Sequence, residues 1–210
     1  MANLLYVKAS PMGDLSYSTA VADAFADAYS QAHPQDQITN LDLFYEDLPA
    51  FDFEAASAKY KIMHGKPHTE REKQVWDRIV GVIDEFKSAD KYLFAVPMWN
   101  FSIPYRLKQY IDVIVQPTHT FTMTPEGAYQ GLVTGKSVLT VYARGGRYDA
   151  ASGTEEFDLQ RKYFETVLRF IGLTDIRSVI VEPTLAGGFD LAAQEKAKAV
   201  EKAQEMAQGF

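Results

Sequence analysis

The sequence KYLFAVPMWNF, Lys91 to Phe101, is the segment most informative about the fold. Its first six residues form the most apolar strand-like run in the chain, which is typical of a strand buried on both faces of a parallel sheet. The remaining five form a turn ahead of a helix that Pro104 helps to open. Ligands of open α/β sheets bind at the carboxyl ends of the strands. We therefore expect this turn to border a ligand, with Trp99 covering a planar group and Asn100 hydrogen bonding to its edge.

Four other apolar runs have strand character, and segments with helical spacing separate the five. The runs are Asn3 to Lys8, Ile38 to Leu43, Ser137 to Tyr142 and Ile176 to Val181, in addition to the one at Lys91. The helical segments lie at 21–33, 72–86, 104–117 and 155–171, and from 191 onward. This alternation predicts an α/β fold, a doubly wound five-stranded parallel sheet with right-handed crossovers and helices on both faces. Because no GxGxxG follows the first strand, the flavodoxin-like order 2-1-3-4-5 is favoured.

Length and composition favour one domain that spans residues 1–210, with a hairpin-like insertion at about 118–134. The formal charge of −7 argues against non-specific binding of nucleic acid, which requires a positive field. Without cysteine, the chain has no disulfides, thiolate metal sites or cysteine nucleophiles. The first residues lack signal-peptide character, and no apolar run approaches ~18 residues, so we expect a cytoplasmic protein that does not bind membranes.

The loop after the first strand is rich in hydroxyl groups. Ser10, Ser16 and Ser18 precede a helix that runs from Val21 to His33. Loop amides and the positive end of the helix dipole would form a phosphate site there, with the serine hydroxyls as further donors. The alternative is that the serines only cap the helix.

Two other motifs are less informative. The run from Gly131 to Ser137 suggests a phosphate loop, but its glycines are one residue too close and a strand follows where a helix is required. His64 and His68 have helical spacing for a shared metal, but Gly65 and Pro67 lie between them and oppose a helix, so no metal site is expected. The irregular segment 44–69 that contains them is interpreted as a cover over the sheet edge or the ligand site.

The fourth strand ends in the sequence ARGG, Ala143 to Gly146. Adjacent glycines allow the backbone to approach a ligand, and Arg144 would add a positive charge, although a flexible surface turn is the alternative. In the order 2-1-3-4-5, the loops after strands 1, 3 and 4 lie close together at one edge. A phosphate site, an aromatic and amide loop and this loop would together fit an elongated mononucleotide with a large planar ring, namely FMN.

Over essentially its whole length the chain resembles the FMN-dependent NADH:quinone oxidoreductases, also called azoreductases. The resemblance rests on an ordered set of motifs: Ser10 with Ser16-Tyr17-Ser18, PMWNF at 97–101, GLVTGK at 131–136, RGG at 144–146 and FIGLTD at 170–175. It implies the following FMN-binding residues: Ser10, Ser16, Tyr17 and Ser18 for the phosphate, and Pro97, Met98, Trp99, Asn100, Phe101, Ala143, Arg144, Gly145 and Gly146 for the ring. Trp99 stands where the family often has Tyr, and Ala143 where it often has Ser.

The resemblance also implies a ping-pong reaction. NADH or NADPH delivers hydride to FMN and leaves, and a quinone or an azo compound then takes two electrons from the same face. No classical acid–base catalytic residue is required. Arg144, or the backbone N–H groups of its loop, would stabilise negative charge near N1 and O2 of the reduced ring. Members of this family are homodimers in which both subunits line each active site. Phe121 and Trp99 are expected in the substrate pocket.

Two other functions are compatible with the residues. A flavodoxin-like electron carrier that serves a protein partner would need an acidic rim around the flavin and would not turn over with NADH alone. The second alternative is a non-catalytic interaction protein that responds to a nucleotide, but the sequence offers no appended partner-binding segment to support it. The long insertion favours an enzyme, because it provides material for a substrate pocket.

Overall fold

The computed structural model describes all residues, 1 to 210, and contains a parallel sheet of five strands. The strands of this sheet are β1 (Asn3–Lys8), β2 (Gln37–Asp42), β3 (Lys91–Pro97), β6 (Ser137–Ala143) and β7 (Asp175–Val181). The separate antiparallel hairpin consists of β4 (Phe121–Met123) and β5 (Tyr129–Gly131). The helices are α1 (Tyr17–Ala32), α2 (Phe53–Met63), α3 (Glu70–Ser88), α4 (Tyr105–Ile114), α5 (Leu159–Phe170) and α6 (Gly188–Ala207). None of these helices combines the length and the apolar character that a membrane span requires.

The five parallel strands lie in the order β2-β1-β3-β6-β7. Counted along the chain without the hairpin, this is 2-1-3-4-5, so the predicted flavodoxin-like topology is confirmed. β3 lies at the centre, and each residue from Tyr92 to Val96 is at most 2% exposed. Because helices cover both faces of a central parallel strand, the whole run is apolar rather than every second residue.

Each face of the sheet has its own core. On one face α1 and α6 pack against the strands, with Phe25 and Ala203 among the buried side chains. On the other face α3, α4 and α5 contribute Ile83, Leu107 and Phe164. Both faces are therefore covered, and ligands have access to the sheet at the loops that follow the strands.

The hairpin lies in the segment that the sequence marks as an insertion, and the predicted hairpin-like excursion is confirmed. Its last residue, Gly131, lies directly against the end of α5, since a Cβ atom there would be 2.2 Å from the amide nitrogen of Gly172. The N–H of Val133 donates to the carbonyl of Ile171 at 2.8 Å. Two glycines therefore permit a backbone contact that fixes the hairpin to the main body of the protein.

Two segments differ from the sequence prediction. Within 44–69 the structure contains α2, which Asp52 caps by accepting the N–H of Ala55 at 3.1 Å. The helix expected from residue 155 begins at Leu159, because Asp158 accepts the N–H of Arg161 and fixes the N-terminus there. Side-chain caps set both boundaries, and hydrophobic spacing alone does not locate them.

Candidate functional site

The loop between β1 and α1 buries three serines. Ser10, Ser16 and Ser18 are each at most 5% exposed, and the hydroxyl oxygens of Ser16 and Ser18 lie 3.2 Å apart. Ser16 caps α1 by accepting the N–H of Thr19 at 3.3 Å. The N–H groups of Tyr17 and Ser18 donate to no acceptor in the protein. Unpaired N–H groups at the positive end of a helix, beside hydroxyl donors, suit a phosphate group.

The turn after β3 has an unusual backbone. Trp99 and Ser102 exchange two hydrogen bonds of 2.9 Å, while Asn100 and Phe101 have φ angles of 47° and 67°. This left-handed conformation is common for Asn but costs a bulky residue roughly 1–2 kcal/mol. The N–H groups of Asn100 and Phe101 donate to no acceptor in the protein. Strain of this kind concentrates at functional sites, and here it presents two backbone donors at the sheet edge.

The aromatic side chains of this turn belong to two different clusters. Trp99 packs against Phe44 and Tyr105, with ring centroids 5.8 and 6.1 Å away. Phe101 packs against Phe157 at 5.2 Å. Phe44 and Phe157 are absent from the sequence-based site, because they lie in segments without a motif. The two clusters buttress the turn through contacts that are distant in sequence.

The loop after β6 lies next to this turn. The N–H of Met98 donates to the carbonyl of Ala143 at 2.8 Å, which joins the two loops. The carbonyl of Gly145 accepts the N–H of Leu185, and a Cβ atom on Gly145 would lie 3.0 Å from the Leu185 side chain. The N–H groups of Gly145 and Gly146 have no acceptor in the protein. The loop is thus held by its neighbours and presents two further backbone donors.

The side chain of Arg144 is buried within the protein. It is 2% exposed, and its guanidinium donates to Asp158 at 2.8 Å, to Gln160 at 3.0 Å and to Glu182 at 3.5 Å. These three partners satisfy the hydrogen-bond donors of the guanidinium inside the protein, and the two carboxylates balance its charge. The guanidinium is therefore paired within the protein, whereas the backbone N–H groups of the loop, the alternative that the sequence offers for the same role, have no acceptor in the protein.

The two residues expected in the substrate pocket are not brought together within one chain. Phe121 of the hairpin packs against Phe170 and Tyr129, with centroids 4.7 and 6.0 Å away. It makes no aromatic contact with Trp99 and does not line the cavity that Trp99 borders.

A cavity of about 640 Å³ lies beside the β3 turn. Its walls are formed by Ala50, Phe51, Asp52, Trp99, Asn100, Ile103, Tyr105, Lys108, Gln109 and Asp112. Lys108 and Asp112 form an ion pair of 2.6 Å, and this hydrogen bond raises the pKa of Lys108. The volume suits a small ligand. Segment 44–69, whose role the sequence leaves open, supplies one wall.

Comparison with known proteins agrees with this arrangement. A sequence profile of the family described as having a flavodoxin-like fold matches residues 2–207. An FMN-dependent NADH:quinone oxidoreductase of Nitratidesulfovibrio vulgaris is 52% identical over 210 residues, which cover all of both chains. Among solved structures, an azoreductase from Bacillus anthracis superposes with a TM-score of 0.91 at 31% identity and full coverage of both chains. An FMN-dependent NADH-azoreductase of the same species, in complex with FMN, has a TM-score of 0.86 at 28% identity, covering 99% of this chain and 100% of its own. By its sequence and its fold, this chain belongs to the flavodoxin-like family of FMN-dependent NADH:quinone oxidoreductases.

Proposed function

We propose that this protein is an FMN-dependent oxidoreductase that transfers two electrons from NADH to quinones by a ping-pong mechanism and, as a related activity, reductively cleaves aromatic azo compounds. The observation that carries the proposal is the set of unpaired backbone N–H groups at one edge of the sheet. Tyr17 and Ser18 present such groups after β1, and Gly145 and Gly146 present them after β6. The names of the full-length relatives support the same chemistry. A cytoplasmic location, where NADH is available, belongs to this proposal.

The phosphate of FMN would bind at the start of α1. Ser10, Ser16 and Ser18 offer hydroxyl groups, and the first-turn amides add backbone donors. These donors are neutral, and the helix dipole supplies the favourable potential for the anion. Burial of the serines keeps competing water away from these hydrogen bonds.

The flavin ring would lie between the turn after β3 and the loop after β6. When bound, FMN supplies the redox chemistry, accepting hydride from NADH and passing two electrons to the acceptor. The N–H groups of Gly145 and Gly146 are suited to stabilise negative charge near N1 and O2 of the ring. Pro97 to Phe101 would lie along the ring, where the strained turn fixes the direction of the Asn100 and Phe101 amides. The protein's contribution is therefore position and electrostatics, without a side chain that acts as acid or base.

The acceptor would enter from the cavity beside Trp99. Its walls combine aromatic surface with Lys108, Asp112 and Asp52, which suits a planar compound with polar edges such as a quinone. NADH would use the same entrance in the first half of the reaction, as a ping-pong mechanism requires.

A homodimer would complete the site. Four large apolar side chains of the hairpin, α2 and α4 are more than half exposed: Met123, Tyr129, Phe53 and Tyr105. Exposed apolar surface of this kind is typical of subunit interfaces. We infer that the hairpin of one subunit brings Phe121 to the ring bound by the other, since the two expected pocket residues are apart within one chain.

Light scattering tests the dimer. A Tyr129→Glu variant should dissociate and lose quinone reduction while still binding FMN, whereas Phe189→Glu is the matched control. Phe189 is 90% exposed on α6, which covers the opposite face of the sheet. A monomeric wild-type protein with full activity would contradict the inference.

The visible spectrum of the purified protein tests the function. Bands at ~370 and ~450 nm that bleach on anaerobic addition of NADH and return with a benzoquinone are expected for this oxidoreductase. A yellow protein that does not react with NADH would instead support the electron carrier. A protein that cannot be reconstituted with FMN would refute the site.

A further inference from the structure

A buried glutamine joins the two loops that border the proposed ring site. Gln160 of α5 is fully buried, and its side-chain Nε2 donates to the backbone carbonyl of Val96 at 2.9 Å. Its Oε1 accepts from the Nε of Arg144 at 3.0 Å. Val96 immediately precedes the turn that begins at Pro97, and Arg144 immediately precedes Gly145. One side chain therefore connects the ends of β3 and β6.

The guanidinium of Arg144 fixes the orientation of this amide. Asp158 holds the guanidinium at 2.8 Å while also capping α5, and Glu182 of the loop after β7 lies 3.5 Å away. If the amide of Gln160 were rotated by half a turn, its NH₂ group would face the cation and its oxygen would face the carbonyl of Val96. Both contacts would be repulsive, so only the observed orientation satisfies all the buried groups.

We propose that Gln160, oriented by Arg144, is a positioning residue that acts together with the Met98–Ala143 backbone hydrogen bond to fix the relative position of the two ring-binding loops, and through it the affinity and the redox potential of the flavin. The inference rests on the proposed function, because it assumes that the ring lies between these loops. Gln160 touches neither the ring nor a substrate in this arrangement. Gln160 holds the carbonyl of Val96 in place. It thereby fixes the position of the Asn100 and Phe101 amides, which follow in the chain, with respect to the Gly145 amide.

The substitution Gln160→Glu distinguishes the hydrogen bond to Val96 from the hydrogen bond with Arg144. A glutamate retains an oxygen for Arg144 and strengthens that pair by adding charge, but it replaces the NH₂ donor with an oxygen that repels the carbonyl of Val96. Gln160→Met is the second variant, since its apolar side chain of similar length removes both hydrogen bonds without placing a charge in the core.

Arg169→Gln is the matched control on the same helix. Arg169 is 53% exposed and pairs with Glu165, which Arg161 also contacts at 2.8 Å, so the carboxylate keeps a partner. Each variant is purified as holoenzyme. The dissociation constant of FMN is measured from the fluorescence of flavin released on dilution, and the midpoint potential by anaerobic dye titration.

We expect Gln160→Glu to weaken FMN binding about tenfold and to lower the midpoint potential, because displaced backbone donors stabilise the reduced ring less. A tenfold larger loss of affinity for reduced than for oxidised FMN corresponds to ~30 mV for a two-electron couple. Arg169→Gln should leave both quantities unchanged.

A Gln160→Met protein with the wild-type dissociation constant and potential overturns the proposal, and so does a Gln160→Glu protein with both. So does one that melts at a lower temperature while its flavin potential is unchanged, since the network would then only stabilise the fold. A wild-type protein that binds no FMN is a different result, and it would refute the proposed ring site itself.

Discussion

The contact between the hairpin and the end of α5 predicts a large effect from a small substitution, Gly131→Ala. A Cβ atom at residue 131 would lie 2.2 Å from the amide nitrogen of Gly172 and 2.4 Å from the carbonyl carbon of Ile171. Both neighbours are backbone atoms, so no side chain can rotate to make room. The hairpin has to move by about 1 Å to restore an ordinary contact of 3.4 Å.

This movement lowers the free energy of unfolding in two ways. The hydrogen bond of 2.8 Å from Val133 to Ile171 would lengthen beyond bonding distance, which removes about 1 kcal/mol. Overpacking against a rigid neighbour adds roughly 1–3 kcal/mol. A loss of about 2–4 kcal/mol in the free energy of unfolding lowers the melting temperature of a protein of this size by roughly 4–16 °C.

The assay is thermal unfolding at saturating FMN, with Gly81→Ala as the matched control. Gly81 lies in the interior of α3, and apart from the adjacent residues and the backbone of the helix itself no atom lies within 4 Å of the position that a methyl group would take there. Alanine at this residue should therefore stabilise the protein by roughly 0.5–1 kcal/mol. The same chemical change should thus have opposite signs at the two glycines. A Gly131→Ala variant that melts at the wild-type temperature, with the Val133 amide still protected from hydrogen exchange, would show that this contact does not resist a methyl group.

Three further predictions concern the site and its support. Ser18→Ala should weaken FMN binding roughly tenfold or more, because a hydrogen bond to the charged phosphate is lost. Riboflavin lacks the phosphate, so its affinity, measured by fluorescence titration, should be the same for the variant and the wild type. At Phe101 φ is 67°, a conformation that strains alanine but not glycine. In urea unfolding, Phe101→Gly should therefore be more stable than Phe101→Ala by ~1 kcal/mol, whereas in a helix alanine is the more stable of the two. Equal stabilities of the two variants would exclude backbone strain at this residue. Hydrogen bonds from Lys61 and from the Thr69 backbone lower the pKa of Glu72 from 4.5 to about 2, so its ionised form favours the folded state. The stability advantage of wild type over Glu72→Gln should be complete above pH 4.5 and disappear as the pH falls toward 2; urea midpoints that differ equally at pH 7 and pH 2 would contradict this.

Much of the fold follows from local sequence patterns. The run from Lys91 to Val96 is apolar at almost every position because β3 is covered on both faces, and this signal needs only adjacent residues. The alternation with helical segments then restricts the topology to few orders, and the observed order is the predicted one. The helix boundaries at Asp52 and Asp158 depend on capping hydrogen bonds that hydrophobic spacing does not reveal.

The candidate site is predictable only in part. Gly145 and Gly146 can be identified from their freedom to bring backbone close to a ligand, and their N–H groups are indeed unpaired. The burial of the Arg144 guanidinium could not be predicted, because a sequence gives no direction for a side chain at the end of a strand. Its partners Asp158 and Glu182 lie 14 and 38 residues away, and no spacing rule connects them.

Local sequence patterns are enough to predict the five parallel strands, their order in the sheet and the edge where the three loops meet. Those properties depend on hydrophobic period and turn chemistry, which are set by residues near one another in the chain. The tertiary structure alone decided which groups face that edge: it buried the guanidinium of Arg144, freed the amides of Tyr17 and Ser18, and separated Phe121 from Trp99. The physical reason is that a buried charge or donor takes the partner that packing brings within reach, and packing joins segments that are remote in sequence.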